Sequence, residues 1–179
     1  MGKLIGLVGA AQTGKSTIAK HLVQKYGYVR ISFIDPLKEM LLNAGMCSRE
    51  ELWGVKTEES RWLMQKIGTE IFRKQVDPEY WVKLAEKKII EQLETGENIV
   101  IDDIRLPDEA DVIRRHGGLL VRTVRDGFVD SIAGGKHESE MHVMTIPVSF
   151  EIVAKSGDIA TLIEGAEYID EMVASEAFA

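Results

Sequence analysis

Gly9-Ala10-Ala11-Gln12-Thr13-Gly14-Lys15-Ser16 is the stretch that decides the fold, and it fits the pattern G-x-x-x-x-G-K-[ST] at every fixed position. Glycines let the backbone wrap closely around a phosphate, so that successive N–H groups and a helix N-terminus face it. Lys15 is placed to bridge the β- and γ-phosphates of a nucleotide, and the Ser16 hydroxyl is placed to bind Mg²⁺. The pattern therefore predicts a nucleotide-phosphate loop formed by Gly9, Ala11, Gln12, Thr13, Gly14, Lys15, Ser16 and Thr17.

The residues on either side of this loop supply the context that the motif requires. A continuous apolar run over residues 3–8 predicts a strand that is buried on both faces. Residues 15–26 carry apolar side chains at helical spacing and predict a helix that opens inside the motif. An isolated glycine-rich turn with an exposed lysine is the alternative, and the strand and helix argue against it.

The rest of the chain alternates strand and helix patterns. Further strands are predicted at 28–33, 98–101, 119–124 and 150–154, and further helices at 36–45, 58–75, 78–93, 107–116 and 159–173. This alternation predicts an α/β fold of the P-loop NTPase class, with a five-stranded, mostly parallel sheet and helices on both faces. We expect one domain over residues 1–179, with a helical acceptor-binding insertion at about 35–95 and a short lid at about 126–146.

Composition limits the partners and the compartment. The 179 residues carry a net charge of −7, which argues against nucleic acid as the main partner. Cys47 is the only cysteine, so there is no intrachain disulfide, and a reducing cytoplasm is expected. No apolar stretch is long enough to span a bilayer, so no membrane partner is predicted. The sequence allows a homodimer.

Two motifs that would indicate other nucleotide-binding classes are missing from the sequence. There is no Asn-Lys-x-Asp motif of the kind that reads guanine, and no Leu-Ser-Gly-Gly signature of transporter ATPases. The small size and the interleaved helices favour a kinase of a small molecule.

Acidic residues follow two of the predicted strands. Asp102 and Asp103 end an apolar strand, where an acid linked to Mg²⁺ is expected, and Asp103 is the preferred candidate. Arg105 could hold the phosphate or the sugar of an acceptor together with Asp103. The alternative is that these acids only stabilise the start of the next helix. Asp35 presents the same choice between a helix N-cap and an acid beside the acceptor.

Arg122 and Arg125 flank the exit of the fourth strand, just before the aperiodic segment 126–146. Arginines on such a segment neutralise charge during phosphoryl transfer and exclude water, so both are candidate catalytic residues. The segment also contains acids and histidines that superficially resemble a metal cluster, namely His137, Glu138, Glu140 and His142. A polar loop without a locating scaffold favours a lid over a metal site.

Several stretches together resemble the deoxynucleoside monophosphate kinases of tailed bacteriophages and their bacterial relatives. The likeness rests on the phosphate loop, residues 33–38 (Phe-Ile-Asp-Pro-Leu-Lys), 65–70 (Gln-Lys-Ile-Gly-Thr-Glu) with Arg73, Asp77-Pro78 with Trp81, residues 103–110 (Asp-Ile-Arg-Leu-Pro-Asp-Glu-Ala) and His137-Glu138-Ser139-Glu140. One departure is Ser16, since many members of that group carry Asp after the lysine.

The resemblance implies ATP as donor, Mg²⁺, and a deoxynucleoside 5′-monophosphate as acceptor, in the host cytoplasm if the chain is of phage origin. It implies an acceptor pocket of Asp35, Lys38, Arg61, Gly68, Thr69, Arg73, Trp81, Asp103, Arg105 and Glu140. It places Arg122 and Arg125 near the transferring phosphate, and the turn with Lys155 and Gly157 beside the adenine.

Other interpretations of the same residues stay open. The acceptor could be phosphomevalonate or dephospho-coenzyme A, because related kinases share part of the pattern. A non-catalytic module gated by nucleotide would also keep the phosphate loop. Trp81 could be a core aromatic residue, and Arg61 and Arg73 could belong to a solvated helix face.

Overall fold

The structure, a computed structural model, describes residues 2–127 and 143–175. It divides into two compact units, which we name the sheet unit (Met1–Ser32 and Ile89–Ala179) and the helical unit (Phe33–Lys88). The prediction of a single domain with an acceptor region at 35–95 and a lid at 126–146 stays a prediction. Among the described residues, no helix combines the length and the apolar character needed to cross a bilayer.

The sheet unit is built on five parallel strands in the order β2-β3-β1-β4-β5. They are β1 (Leu4–Val8), β2 (Val29–Ile31), β3 (Ile99–Ile104), β4 (Leu119–Arg125) and β5 (Phe150–Ala154). β1 is central and entirely buried, with Ile5 opposite both Val100 of β3 and Leu119 of β4. This arrangement confirms the predicted parallel sheet.

Helices cover both faces of this sheet. α1 (Lys15–Tyr26) and α7 (Ile159–Ala174) lie on one face, where their Leu22 and Ile169 share a core with Ile5 and Leu7 of β1. α6 (Pro107–Arg115) lies on the other face, where Ile113 approaches Gly6 so closely that a Cβ there would lie 3.0 Å from its Cγ1. Alternate residues of β1 therefore serve opposite layers.

The helical unit consists of short helices around its own apolar core. They are α2 (Asp35–Asn43), α3 (Arg49–Trp53), α4 (Glu58–Gln65), a π-helix (Lys66–Val76) and the first part of α5 (Tyr80–Glu94), which continues into the sheet unit. The π-helix ends where the Asp77 N–H donates to the Phe72 carbonyl, five residues back, at 2.9 Å. The predicted single helix over 58–75 is thus two helices of different winding.

Candidate active site

The phosphate loop lies between the end of β1 and the start of α1, and its glycines are required there. Gly14 has a φ of +102°, and a Cβ on it would lie 2.6 Å from Leu162 of α7. Gly9 has a φ of +154°, and a Cβ on it would lie 2.6 Å from the carbonyl oxygen of Thr123 in β4. Gln12 also has a positive φ, +62°. The loop therefore depends on backbone conformations that side chains at Gly9 and Gly14 would prevent.

The N-terminus of α1 opens directly from this loop and suits an anion. The cap is Gly14, which has no side chain, and the first turn Lys15-Ser16-Thr17 carries a lysine and two hydroxyls. The first N–H groups of a helix have no carbonyl partner within it, and the helix dipole adds positive charge. A phosphate bound here would satisfy those groups.

Lys15 lies over the loop rather than in solvent. Its Nζ donates to the carbonyl oxygens of Gly9 at 2.7 Å and Ala10 at 2.5 Å, and the residue is 8% exposed. The ammonium is therefore held within the loop that a nucleotide phosphate would enter. Ser16 is exposed, so its hydroxyl can reach a ligand.

A cavity of about 310 Å³ adjoins the loop. The end of β4, the turn after β5 and the start of α7 complete its walls. Of the residues that the sequence predicted for the donor and for catalysis, the cavity brings together Gln12, Thr13, Gly14, Lys15, Ser16, Thr17, Arg125, Lys155 and Gly157. Residues distant in sequence thus meet where the strands end, as expected for a parallel sheet.

The turn after β5 gives the cavity its second wall. Gly157 has a φ of +82°, and the Asp158 N–H donates to the Lys155 carbonyl at 3.1 Å. Asp158 caps α7 by accepting from the Thr161 hydroxyl at 2.7 Å and the Thr161 N–H at 3.1 Å, and these bonds lower the pKa of its carboxyl. Ile159 follows with 56% of its surface exposed.

Arg125 belongs to this wall. Its Nη2 donates to the Ser156 hydroxyl at 3.0 Å, so its guanidinium lies at the turn. Three cationic side chains, those of Lys15, Arg125 and Lys155, line the cavity against the single carboxylate of Asp158. This excess of positive charge suits a polyphosphate, and exposed Ile159 offers an apolar surface beside it.

The Arg122 guanidinium is engaged within the protein. The residue is 7% exposed and donates to the carbonyls of Val143 at 3.2 Å and Met144 at 3.4 Å. It also donates to the Ile146 carbonyl and pairs with the Glu151 carboxylate. We therefore assign Arg122 to the packing of residues 143–151 against β4, and its contact with a transferring phosphate stays a prediction.

Asp102 and Asp103 lie inside β3, where the sequence predicted them after the strand. Asp102 is 4% exposed, and its Oδ1 accepts from the Arg30 Nε of β2 at 2.7 Å. Its Oδ2 is buried without a hydrogen-bond partner among residues 2–127 and 143–175. Asp103 accepts a hydrogen bond from the Ser32 hydroxyl.

These carboxylates fit a hard cation at the edge of the sheet. β3 runs parallel to β1, so its carboxyl end lies at the same edge as the phosphate loop. A buried carboxylate oxygen without a partner is a donor that Mg²⁺ can use, together with hydroxyl and phosphate oxygens. Arg105, one residue past β3, is exposed, and its backbone N–H donates to Glu109 Oε2 at 2.8 Å.

The remaining predicted acceptor residues belong to the helical unit. Asp35 and Lys38 form an ion pair across the first turn of α2, with 3.4 Å between Oδ1 and Nζ. Lys38 Nζ also lies 5.4 Å from the centroid of the Trp53 ring. Arg61 of α4 is exposed, whereas Thr69 and Arg73 of the π-helix are partly buried. Nothing in the arrangement of these side chains alone identifies an acceptor.

The surroundings of Trp81 favour one of the two interpretations that the sequence left open, that of a core aromatic residue. Its ring is 4% exposed and packs in the core of the helical unit, with its centroid 4.8 Å from that of Phe72. Its indole N–H donates to the Gly68 carbonyl at 3.0 Å. A Cβ on Gly68 would lie 2.6 Å from Leu37 Cδ2. Trp81 is therefore a core residue whose polar atom is satisfied, and its role as the wall of a nucleotide base stays a prediction.

Four of the residues considered in the sequence lie outside the described ranges, and two residues that line the cavity were not predicted. Glu140, with His137, Glu138 and His142, lies outside the described residues. The described ranges contain no group of three or more acids, histidines or cysteines that could hold a metal. Sequence reasoning overlooked Ile159 and Leu162, which line the cavity, although their place just after the predicted turn was a usable signal.

Comparison with known proteins identifies the family of this chain. The sequence model of the family described as deoxynucleotide monophosphate kinase matches residues 46–164, well over half of the chain. A protein of Acanthamoeba polyphaga mimivirus named for the same family is 29% identical over 84% of this chain and 86% of its own length. The deoxynucleotide monophosphate kinase of Enterobacteria phage T4 is 32% identical over 44% of this chain and 31% of its own length.

Solved structures share the fold at low identity. A sugar kinase from Janibacter matches all of this chain and 99% of its own, with a TM-score of 0.53 and 16% identity. A shikimate kinase from Acinetobacter baumannii matches all of this chain and 97% of its own, with a TM-score of 0.51 and 14% identity. The parallel sheet with its phosphate loop is thus a kinase fold. The extent of the family match shows that the chain belongs to the deoxynucleotide monophosphate kinase family, and it is a phosphotransferase.

Proposed function

We propose that this kinase transfers the γ-phosphoryl group of ATP to the 5′-phosphate of a deoxynucleoside monophosphate, giving the diphosphate. The observation that carries this proposal is the cationic cavity in which the phosphate loop meets Arg125 and the turn at Lys155–Asp158. Membership of the family supplies the class of acceptor. Phosphomevalonate and dephospho-coenzyme A, the alternatives that the sequence left open, are not favoured by the family match.

The donor side of the proposal follows from the walls of the cavity. The triphosphate occupies the loop and the N-terminus of α1, where Lys15 contacts the β- and γ-phosphates. The adenine lies towards the turn, where Ile159 provides apolar surface. Arg125, held by Ser156, adds positive charge beside the phosphates. This assignment gives each wall of the cavity one part of the nucleotide.

Mg²⁺ would be held by the Ser16 hydroxyl and the carboxylates of β3, of which Asp103 was predicted and Asp102 has the unpartnered oxygen. When bound, the ion supplies charge neutralisation at the β- and γ-phosphate oxygens. The protein's own part is to hold these oxygen donors in place, which Arg30 of β2 and Ser32, one residue past β2, do by hydrogen bonding to the two carboxylates.

The acceptor side needs binding and orientation but no general base, because the attacking phosphate oxygen is already ionised. We propose that the helical unit selects the nucleotide through Asp35, Lys38, Arg61, Gly68, Thr69 and Arg73, where Gly68 acts through its backbone. Arg105, exposed after β3, is proposed as a further contact. The phage T4 relative supports deoxynucleotide biosynthesis in a host cytoplasm as the setting, and a homodimer is compatible with all of this.

The test is ADP release from Mg·ATP with each of the four dNMPs, comparing Lys15→Met with Lys20→Met. Lys15 lies in the loop, whereas Lys20 is exposed on the same helix, so the two variants lose the same charge in different places. We expect Lys15→Met to lower kcat by roughly 100-fold or more, as loss of a charge-stabilising donor does. Lys20→Met should match the wild type.

Two outcomes would contradict the proposal. Equal rates for the two variants would remove the loop from the reaction. ADP release that proceeds at the same rate without any dNMP would show an ATPase rather than a nucleotide kinase.

A further inference from the structure

A buried pair of threonine hydroxyls joins the phosphate loop to the neighbouring strand. Thr13 Oγ1 lies 2.7 Å from Thr123 Oγ1 of β4, and the two residues are 6% and 1% exposed. Thr13 Oγ1 also donates to the Ala10 carbonyl at 2.9 Å, which leaves Thr123 as the donor within the pair. Thr13 thus accepts from the strand and donates across the loop.

Thr123 also sets the position of the first loop residue. A Cβ on Gly9 would lie 2.6 Å from the Thr123 carbonyl oxygen and 2.7 Å from its hydroxyl. The glycine therefore lies directly against Thr123. Thr123 therefore contacts both Gly9, at the beginning of the loop, and Thr13, the residue before Gly14.

Thr123 contacts the loop at Thr13, next to a residue whose backbone conformation is unfavourable. Gln12, just before Thr13, has a φ of +62°, a conformation that costs about 1–3 kcal/mol for a residue other than glycine unless neighbours hold it. Thr13 lines the cavity beside Gly14 and Lys15. A hydrogen bond that fixes Thr13 thereby fixes the N–H groups that face a phosphate.

We infer that Thr123 is a positioning residue, which holds the phosphate loop in its binding conformation through the hydroxyl of Thr13. Thr123 is not among the described residues that line the cavity. The inference rests on the proposed binding of a nucleotide polyphosphate to this loop, but not on the identity of the acceptor.

The experiment measures ADP affinity by calorimetry, and KM for ATP and kcat by ADP release, in Thr123→Val and Thr123→Ser. Valine keeps the shape and removes the hydroxyl, whereas serine keeps the hydroxyl. We expect Thr123→Val to weaken ADP binding and raise KM for ATP by roughly fivefold, the effect of losing one buried hydrogen bond. KM for the dNMP should stay unchanged, and Thr123→Ser should stay within about twofold of the wild type.

A core variant and a double variant exclude a merely structural effect. Ile113→Val in α6 removes one buried methylene and should lower Tm without changing ADP affinity. Thr13→Val combined with Thr123→Val should weaken ADP binding no more than the stronger single change, because the two hydroxyls act as a pair.

Three results would overturn the inference. They are a Thr123→Val protein that binds ADP normally, a Thr123→Ser protein as weak as Thr123→Val, and single effects that add in the double variant. Since ADP binding needs no acceptor, wild-type protein that ignores every dNMP would defeat the proposed function and leave this test intact.

Discussion

The sheet unit and the helical unit carry their predicted site residues in different ways. In the sheet unit, nine predicted residues line one cavity, because parallel strands all end at the same edge and the loops after them converge. In the helical unit, the predicted residues divide between the core and the surface. Trp81 is buried, whereas Arg61 is exposed.

This difference teaches where sequence motifs can be trusted to locate a site. The carboxyl ends of parallel strands lie at one edge of the sheet, so residues predicted near those ends are brought to the same edge. The direction of a side chain on a helix depends on winding and on packing partners, which a motif does not specify. Paired substitutions within each unit test this difference.

The largest loss of stability is expected at Trp81, with the exposed Trp62 of the same unit as its control. Trp81→Ala should lower the free energy of unfolding by about 3–5 kcal/mol, because it opens a cavity and leaves the Gly68 carbonyl without its donor. Trp62→Ala, at a side chain 60% exposed, should change it by less than about 0.5 kcal/mol. Urea titration measures both. A Trp81→Phe protein of normal stability but weakened dNMP binding would instead support Trp81 as the wall of a nucleotide base.

The two arginines of β4 should separate stability from nucleotide binding. Arg122→Met should lower the free energy of unfolding by about 2 kcal/mol, since it leaves buried carbonyls unpaired. Arg125→Met should leave Tm unchanged and raise KM for ATP by roughly tenfold, since it removes a charge from the cavity wall. The reverse pattern, with Arg122 controlling KM and Arg125 controlling Tm, would contradict the assignment of Arg122 to packing.

The glycines at the two ends of α1 give a closely matched pair. Gly14 and Gly27 both have positive φ values, +102° and +71°, but only Gly14 lies against another side chain, that of Leu162. Gly14→Ala should weaken ADP binding by about tenfold, because the strained loop must shift. Gly27→Ala should cost about 1 kcal/mol of stability and leave ADP affinity as it was. Calorimetric titration of ADP into each variant decides, and equal affinities would mean that the loop tolerates a Cβ.

The smallest effect is expected at the cap of α3. Ser48 accepts from the Glu51 N–H at 3.3 Å, and the Ser48 hydroxyl donates to the Glu51 carboxylate at 2.7 Å, which lowers the pKa of Glu51 below 4.5. A depressed carboxyl pKa stabilises the folded state above pH 4.5, and this contribution is lost as the pH falls through the folded pKa. Ser48→Ala should therefore lower Tm at pH 7 by more than at pH 3. A loss of Tm that is equal at both pH values would contradict this.

Much of the fold could be predicted from the sequence, for physical reasons. Buried parallel strands give continuous apolar runs, and all five were located, with β5 predicted at its observed bounds. β3 extends three residues past the predicted end, to Ile104, which pairs with Val8 of β1, and its Asp102 and Asp103 accept hydrogen bonds from Arg30 of β2 and from Ser32 just after it. Partners of this kind are set by strand order and lie beyond any local pattern.

The helices show a similar division. α3 was overlooked although Ser48-x-x-Glu51 is a capping-box signal, so that omission was avoidable. The π-helix was not foreseeable, since its winding depends on the packing of Gly68 against Leu37 and Trp81. Thr123 gave no signal at all, because an apolar strand that contains one threonine looks the same whether or not its hydroxyl meets a loop.

The most direct test of the central claim follows the phosphoryl group itself. ATP labelled in its γ-phosphoryl group is incubated with Mg²⁺, the enzyme and each dNMP, and the products are separated. The account predicts label in one or more deoxynucleoside diphosphates, with none formed by Lys15→Met. Label that appears only in inorganic phosphate, or that stays in ATP with every dNMP, would contradict it.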